Sequence, residues 1–285
     1  MKTTRRKFLQ CTGTAVGASL LLGPNNAFGS MTEKDNSPQY GMLNDTTMCT
    51  GCQACEQACT AKNFFPEPEV KPETEKQRST GTEALTVVNA HATEKGTVFV
   101  KTQCMHCDQP ACVSACLVNA MYKTDEGPVI WKEDKCMGCR YCMVACPFDI
   151  PKFEYGSLNP KIRKCVMCFD RIGKGNIPVC AEACPQEAIL FGTREELLEI
   201  ARKRISDHPA KYVRHIYGEH EVGGTNILYL AGVPFAQLGF RTDLGTIPYP
   251  EYTKTFLYSV PLALLLAPAF MLGLRQATKG KNDRD

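Results

Sequence analysis

The chain has 285 residues and a net charge of +3, a balance too mild to favour nucleic-acid binding. Its hydrophobic fraction of 44% is ordinary for a soluble protein, and its length suggests one or two domains. The 17 cysteines are many for a reduced cytosolic protein. They leave three alternatives, which are a disulfide scaffold, structural zinc and iron–sulfur clusters.

Residues 1–29 have the features of a twin-arginine export signal. Arg5 and Arg6 stand before a weakly apolar stretch from Cys11 to Gly23, and small residues end the segment at 27–29. The alternative is a disordered basic tail. Because Cys11 lies inside this segment, we exclude it from the candidate metal ligands.

The other sixteen cysteines form four motifs, numbered here along the chain. Motif three has the spacing C-x2-C-x2-C-x3-C-P, which is the bacterial ferredoxin pattern for a 4Fe–4S cluster. Motif one keeps the spacing without the proline, while motifs two and four have longer gaps before the third cysteine. The motifs are, in order, Cys49, Cys52, Cys55 and Cys59; Cys104, Cys107, Cys112 and Cys116; Cys136, Cys139, Cys142 and Cys146; and Cys165, Cys168, Cys180 and Cys184.

In two-cluster ferredoxins the fourth cysteine of such a motif binds the neighbouring cluster. Pairing motif two with three, and motif one with four, therefore predicts four clusters with crossed ligands. Cluster 1 takes Cys49, Cys52, Cys55 and Cys184; cluster 2 takes Cys59, Cys165, Cys168 and Cys180; cluster 3 takes Cys104, Cys107, Cys112 and Cys146; cluster 4 takes Cys116, Cys136, Cys139 and Cys142. In the alternative arrangement each motif holds its own cluster. Zinc or disulfides require neither the third nor the fourth cysteine at these spacings.

Between the motifs, the sequence predicts short strands. The predicted strands span residues 41–45, 84–90, 96–102, 120–123, 128–131, 188–191 and 226–231. Turn residues join 84–90 to 96–102 and 120–123 to 128–131 as hairpins. Segments 62–82 and 169–179 are predicted surface loops, and 148–155 an irregular connection.

One longer soluble helix is predicted after motif four. Thr193 and Glu196 form a capping box, and an apolar face follows from Leu197 to Ile205. These elements place a ferredoxin-like domain at 30–207. Residues 208–255 are predicted to cover that domain or to contact a partner subunit.

Residues 256–274 contain no charged residue and predict one transmembrane helix, about 28 Å long at 1.5 Å per residue. A buried core helix is the alternative. Because Arg275, Lys279, Lys281 and Arg284 follow it, the positive-inside rule places the tail, 275–285, in the cytoplasm. The cluster domain is then expected on the periplasmic side, as the export signal also indicates.

Other chemistry has little support in the sequence. We find no C-x-x-C-H, no G-x-G-x-x-G after a strand and no Walker A loop. His106 lies inside motif two, and we interpret it as a residue behind the ligands or at the surface. A chain with four clusters and no substrate site is expected to carry electrons, with no catalytic residue of its own.

Several stretches resemble the four-cluster ferredoxin subunits of bacterial membrane oxidoreductases. They are Gly51 to Cys55, Gln103 to Cys107, Gly138 to Pro147, Phe191 to Leu197, and Gly223 to Thr225. Together with the export signal and the C-terminal helix, these stretches make the chain similar to the iron–sulfur subunits of membrane-bound hydrogenase 2 complexes. The likeness covers most of residues 40–275, and Leu117 in place of a proline is a departure.

This resemblance implies an α+β fold of two pseudo-symmetric two-cluster ferredoxin units, followed by a transmembrane helix. It also implies partners, a nickel–iron hydrogenase and an integral membrane quinone-reactive subunit. Partner enzymes that use molybdopterin, such as formate dehydrogenase, polysulfide reductase or nitrite reductase types, remain alternatives. A membrane-anchored zinc protein is a distant one.

Overall fold

The computed structural model describes residues 38–68 and 71–282. The predicted export signal, with Arg5, Arg6 and Cys11, lies outside the described residues. The strands are β1 Tyr40–Asp45, β2 Val87–Thr93, β3 Gly96–Thr102, β4 Met121–Lys123, β5 Val129–Trp131, β6 Lys152–Phe153, β7 Ile162–Arg163, β8 Ile189–Thr193 and β9 Ile227–Leu230. The α-helices are α1 Ala54–Asn63, α2 Ala111–Ser114, α3 Tyr141–Val144, α4 Phe169–Ile172, α5 Val179–Glu182, α6 Arg194–Asp207 and α7 Tyr249–Asn282.

A three-stranded sheet joins the first strand of the described residues to the last two. Strand β1 is central, antiparallel to β8 and parallel to β9. Met42 of β1 lies opposite Phe191 on one side and Ile227 on the other. Both faces of β1 are covered, so its residues from Gly41 to Asp45 are buried. The strands predicted at 41–45, 188–191 and 226–231 are thereby confirmed to within two residues at each end.

Helix α6 covers one face of this sheet. It begins with the predicted capping box, in which the Thr193 hydroxyl accepts from the Glu196 N–H and the Glu196 carboxylate accepts from the Thr193 N–H. Leu197 and Ala201 are buried against Leu43 of β1. The apolar face predicted for this helix therefore packs as expected.

The two predicted hairpins form, and a third was missed. Strands β2–β3 and β4–β5 are antiparallel neighbours in the sequence and in the fold. Strands β6 and β7 pair as well, although 148–155 was predicted to be irregular. Helix α4 also lies within the predicted loop at 169–179. Elements of two to four residues give too few positions for a period of 2 or 3.6 to be visible in the sequence.

Segment 62–82 is only partly the surface loop that its composition predicts. Most of its described residues are exposed or half-buried, but Thr80 is buried and the Arg78 side chain turns inward. The Arg78 guanidinium pairs with Glu56 of α1 at 2.6 Å. This pair holds the segment against the helix that carries Cys55 and Cys59.

Residues 208–255 contribute to the same core as the cysteine motifs. Tyr217, Tyr229, Phe235 and Phe240 pack ring against ring, with centroid separations from 4.6 to 6.4 Å. The Tyr229 hydroxyl donates to the Lys101 carbonyl at 2.7 Å, which ties this cluster to the strand that leads into motif two.

Helix α7 is long and apolar enough over Tyr249–Arg275 to cross a membrane, by length and composition. Its apolar side chains are exposed from Phe256 to Leu274, as with Leu264 and Phe270. It continues through Pro261 and Pro268 without a break. The predicted span at 256–274 lies inside it, and the exposed face does not fit the alternative of a buried core helix.

Candidate metal centres

All sixteen cysteines within the described residues are free thiols. Four of them, Cys55, Cys112, Cys142 and Cys180, are each the second residue of a helix. Motifs one and three share one local geometry. Gly51 and Gly138 both have φ of 72°, and the next residue but one, Gln53 or Arg140, is left-handed before the helix begins. This turn brings three sequence-adjacent thiols to one side of the chain.

Motifs two and four share a second geometry. In each, a proline stands immediately before a four-residue helix whose second residue is the third cysteine of the motif: Pro110 before Cys112, and Pro178 before Cys180. The longer gap in motif four is therefore absorbed before the proline, by α4 and the turn after it. Proline suits the start of a helix because its nitrogen has no proton to donate.

Two cavities are lined by four thiols each. One is lined by Cys49, Cys52, Cys55 and Cys184 together with Phe99 and Lys101. The other is lined by Cys116, Cys136, Cys139 and Cys142. In both, three thiols come from one motif and the fourth from the partner motif.

The remaining eight thiols lie in two further neighbourhoods. Burial raises the pKa of Cys107 well above its usual value, and nearby thiols add to the rise: Cys104, Cys146 and Cys112. Burial also raises the pKa of Cys59 to about 11, where Lys101 opposes the rise and Cys180 and Cys168 add to it. Cys165 has its pKa raised by burial as well, with Cys59 and Cys180 among its neighbours.

We number the four thiol groups as the predicted clusters 1 to 4. Each group has an electrostatic neighbour in the next one. Burial raises the pKa of Cys55, in the first group, to about 12, and Cys180 of the second group contributes to that rise. Burial is the main cause of the raised pKa of Cys165, in the second group, and Cys104 of the third group adds to the rise. Burial also raises the pKa of Cys112 to about 12, with Cys142 of the fourth group contributing.

These thiols fit iron–sulfur chemistry by their donor type and electrostatics. A thiolate, and not a thiol, binds metal, yet burial raises the pKa values of these cysteines. Positively charged iron would reverse that penalty. Within the described residues, no group of three or more His, Cys, Asp or Glu residues could hold a single metal ion. Thiols around a cube of iron and sulfur stand further apart than those around one zinc ion, so the cluster hypothesis suits this spacing better.

Hydrogen-bond donors already point at several cysteine sulfurs. Cys116 Sγ accepts from the N–H groups of Ala120 and Met121 at 3.2 and 3.3 Å, and Cys165 Sγ accepts from the Met167 N–H at 3.3 Å. The Asn63 amide is 3.7 Å from Cys59 Sγ. Such contacts stabilise negative charge on sulfur and thereby raise a cluster's reduction potential.

His106 is fully buried, so the surface alternative for it is wrong. Its Nδ1 accepts from the Val129 N–H at 2.9 Å, and its backbone carbonyl accepts from the Asn226 N–H at 3.0 Å. It connects motif two to β5 and to the residue before β9. Burial lowers the pKa of His106 well below its usual value, with Lys164 contributing.

Two buried lysines are the site residues that the sequence did not reveal. Burial alone would lower the pKa of Lys101, but neighbouring thiolates, with Cys180 first, outweigh it and raise that pKa. The Lys164 ammonium lies 3.7 Å from Cys104 Sγ. A weak signal was present, since Lys101 stands three residues before motif two and Lys164 immediately before motif four.

Comparison with known proteins identifies relatives over nearly the whole chain. The 4Fe–4S dicluster domain family matches residues 96–194. A protein of Nitratidesulfovibrio vulgaris is 43% identical over 97% of this chain and 77% of its own length. The hydrogenase-2 operon protein HybA of Escherichia coli O157:H7 is 36% identical, covering 92% of each chain. The iron–sulfur subunit of the nitrate-inducible formate dehydrogenase of Escherichia coli K12 is 31% identical over 69% of each.

Proposed function

This chain belongs to the family of 4Fe–4S iron–sulfur subunits that includes HybA, and from that membership we propose that it carries electrons between a nickel–iron hydrogenase and a membrane quinone-reactive subunit. The observation that carries the proposal is the likeness to HybA over 92% of both chains. A match that covers this share of the chain takes in the four cysteine motifs and β9. The chain itself would be a non-catalytic subunit of the complex.

We propose four 4Fe–4S clusters, held by the four crossed ligand sets predicted from the sequence. The two four-thiol cavities support the first and the fourth set, and the electrostatic neighbours of Cys107 and Cys59 support the third and the second. When bound, such a cluster can take up and release one electron. The chain's own residues would orient the thiolates, exclude water and donate hydrogen bonds to sulfur.

The fold is proposed to consist of two pseudo-symmetric ferredoxin-like units. One unit would join motifs one and four, and the other would join motifs three and two. Two observations support this arrangement. The matched backbone geometry pairs motif one with three and motif two with four. In addition, α1 packs against α5 in one unit, as α2 packs against α3 in the other.

Helix α7 is proposed as the membrane anchor, with the cluster domain on the periplasmic side and the C-terminus in the cytoplasm. The exposed apolar surface of Tyr249–Arg275 supports anchoring. The basic residues that follow the span support the orientation, and the Arg5-Arg6 pair supports export.

A molybdopterin oxidoreductase is the second candidate partner. It is favoured by the 31% identity to the formate dehydrogenase iron–sulfur subunit and by 38% identity over 160 residues to a probable anaerobic dimethyl sulfoxide reductase chain. These matches cover 69% and 56% of this chain, against 92% for HybA. The hydrogenase partner is therefore the better supported of the two.

Anaerobic purification of the full chain with its partners tests the proposal. We expect about sixteen iron and sixteen sulfide per chain, four of each per cluster, and a nickel-containing subunit in the same complex. A preparation holding zinc and little sulfide would overturn the cluster proposal. A molybdopterin subunit in place of nickel would leave the clusters intact and reassign the partner.

A further inference from the structure

The buried charged side chains of this protein are of two kinds, those with an oppositely charged partner and those without one. Within the described residues, four Asp, Glu or Lys side chains are buried: Asp45, Glu56, Lys101 and Lys164. The two carboxylates have cationic partners, since Arg204 reaches Asp45 at 2.7 Å and Arg78 reaches Glu56 at 2.6 Å. Neither lysine has a carboxylate within ion-pair distance in the part of the chain that the structure describes.

Resting on the proposed function, we propose that the Lys101 and Lys164 ammonium groups are the fixed counter-charges of the clusters. Each lies between two neighbouring ligand sets and raises the reduction potentials of both. Lys101 would act on clusters 1 and 2, and Lys164 on clusters 2 and 3. Cluster 4 would be influenced by neither.

Lys101 lies at the junction of the first two sets. It ends the buried part of β3, lines the cavity of the first set, and donates from Nζ to the Gln103 side chain. That amide oxygen is a neutral acceptor and leaves the charge unbalanced. The same ammonium opposes the burial-induced rise in pKa of Cys55 in the first set and of Cys59 in the second.

Lys164 lies at the next junction. It is 4% exposed, and its Nζ donates to the carbonyls of Val129 and Cys165, the latter at 2.9 Å. Its third contact is Cys104 Sγ at 3.7 Å. An ammonium has three donors, so one of them is directed at a cysteine of the third set while the lysine itself adjoins a cysteine of the second.

A buried charge is costly unless another charge balances it, and carbonyl dipoles do not remove the charge. A 4Fe–4S cluster with its ligands is anionic, because four sulfides and four thiolates outweigh the positive charge of the iron. Reduction adds one more negative charge, and a nearby ammonium stabilises the reduced form. Local charge is one of the determinants of cluster potential.

The surroundings of the fourth set provide a contrast. Arg140, next to Cys139, is exposed, and its guanidinium lies over the rings of Phe153 and Tyr155 at 5.4 and 5.6 Å. Solvent screens a charge in that position. Among the residues that the structure describes, a buried lysine therefore lies at the junctions of sets one with two and two with three, and none lies at set four.

The test uses the full chain, purified anaerobically, with Lys101→Met and Lys164→Met made separately and together. Lys→Arg at each position keeps the charge, and Lys95→Met removes an exposed lysine from the turn that precedes β3. A redox titration monitored by electron paramagnetic resonance gives the potentials. In it dithionite supplies the electrons, and each reduced cluster takes up one.

We expect each single Met variant to shift the reduction potentials of two of the four clusters to more negative values. One of these clusters should be shifted in both variants. The double Met variant should shift three potentials, while the Arg variants and Lys95→Met should leave all four near those of the unaltered chain. Loss of iron in a Met variant but not in its Arg counterpart also supports a required charge.

Unshifted potentials in fully loaded Met variants would overturn the proposal. So would equal shifts or equal iron loss in the Met and Arg variants, or a shift of all four clusters together. If the unaltered chain itself holds no iron and sulfide, then the proposed function fails. Full iron content with unmoved potentials would refute only the role of the lysines.

Discussion

Changing Arg78 to Met should loosen motif one without touching a cysteine. Glu56 lies between Cys55 and Cys59 on α1, and its side chain is 2% exposed. Its two oxygens accept from the Arg78 guanidinium at 2.6 and 3.1 Å, and one also accepts from the Val88 N–H. The substitution leaves this carboxylate buried and without a cationic partner, with the Val88 N–H and the Gln53 side-chain amide, at 3.3 Å, as its donors.

The magnitude follows from the burial of the pair. Removing one partner of a buried ion pair costs about 3–5 kcal/mol, because the remaining charge is desolvated and uncompensated. At about 1.4 kcal/mol for each factor of ten, that loss corresponds to opening of the site that is faster by roughly a hundred- to a few thousand-fold. Adding Glu56→Gln to Arg78→Met removes the orphaned charge, so most of the loss should be recovered.

The assay is the rate at which the cluster absorption, at about 400 nm for thiolate-bound iron, disappears in guanidinium under anaerobic conditions. A rate is the proper measure because cluster loss makes unfolding irreversible. Arg202→Met is the matched control, since Arg202 pairs with Glu219 but is 60% exposed. Surface pairs contribute about 0–1 kcal/mol, so this variant should bleach at nearly the original rate.

The reasoning would be refuted if Arg78→Met bleached no faster than Arg202→Met. It would also be refuted if the double variant with Glu56→Gln bleached as fast as Arg78→Met alone. In that case the guanidinium would act through its packing or through its 2.7 Å hydrogen bond to the Val88 carbonyl, and not by neutralising Glu56.

Three further predictions address the ligands, the anchor and export. Cys146→Ser should alter the cluster of motif two more than that of motif three, and Cys116→Ser the reverse, in paramagnetic resonance spectra; damage confined to the variant's own motif would exclude crossed ligation. Deleting residues 256–285 should release the cluster domain from membranes, when partner subunits are absent, with its iron content unchanged; retention on lipid would contradict anchoring by α7. Changing Arg5 and Arg6 together to Lys should leave the protein in the cytoplasm, which cell fractionation measures, and unchanged export would exclude the twin-arginine route.

The sequence by itself determined the features whose causes are local. The cysteine spacings of motifs one and three follow from one turn geometry, which needs only a few consecutive residues around Gly51 and Gly138. The capping box at Thr193 and the two hairpins likewise depend on neighbours in the chain. The apolar run in α7 was visible for the same reason, because hydrophobic length is a local property.

Only the tertiary structure decided the features that join distant parts of the chain. Strand β9 pairs in parallel with β1, although most of the sequence lies between the two strands. No local signal in the sequence specifies that partner. The Arg78–Glu56 pair and the inward course of its segment were hidden in a stretch with the composition of a surface loop. Lys101 and Lys164 have the sequence appearance of ordinary surface lysines. They are buried because distant parts of the chain close around them, and burial decides whether a charge is screened by water or acts on its neighbours.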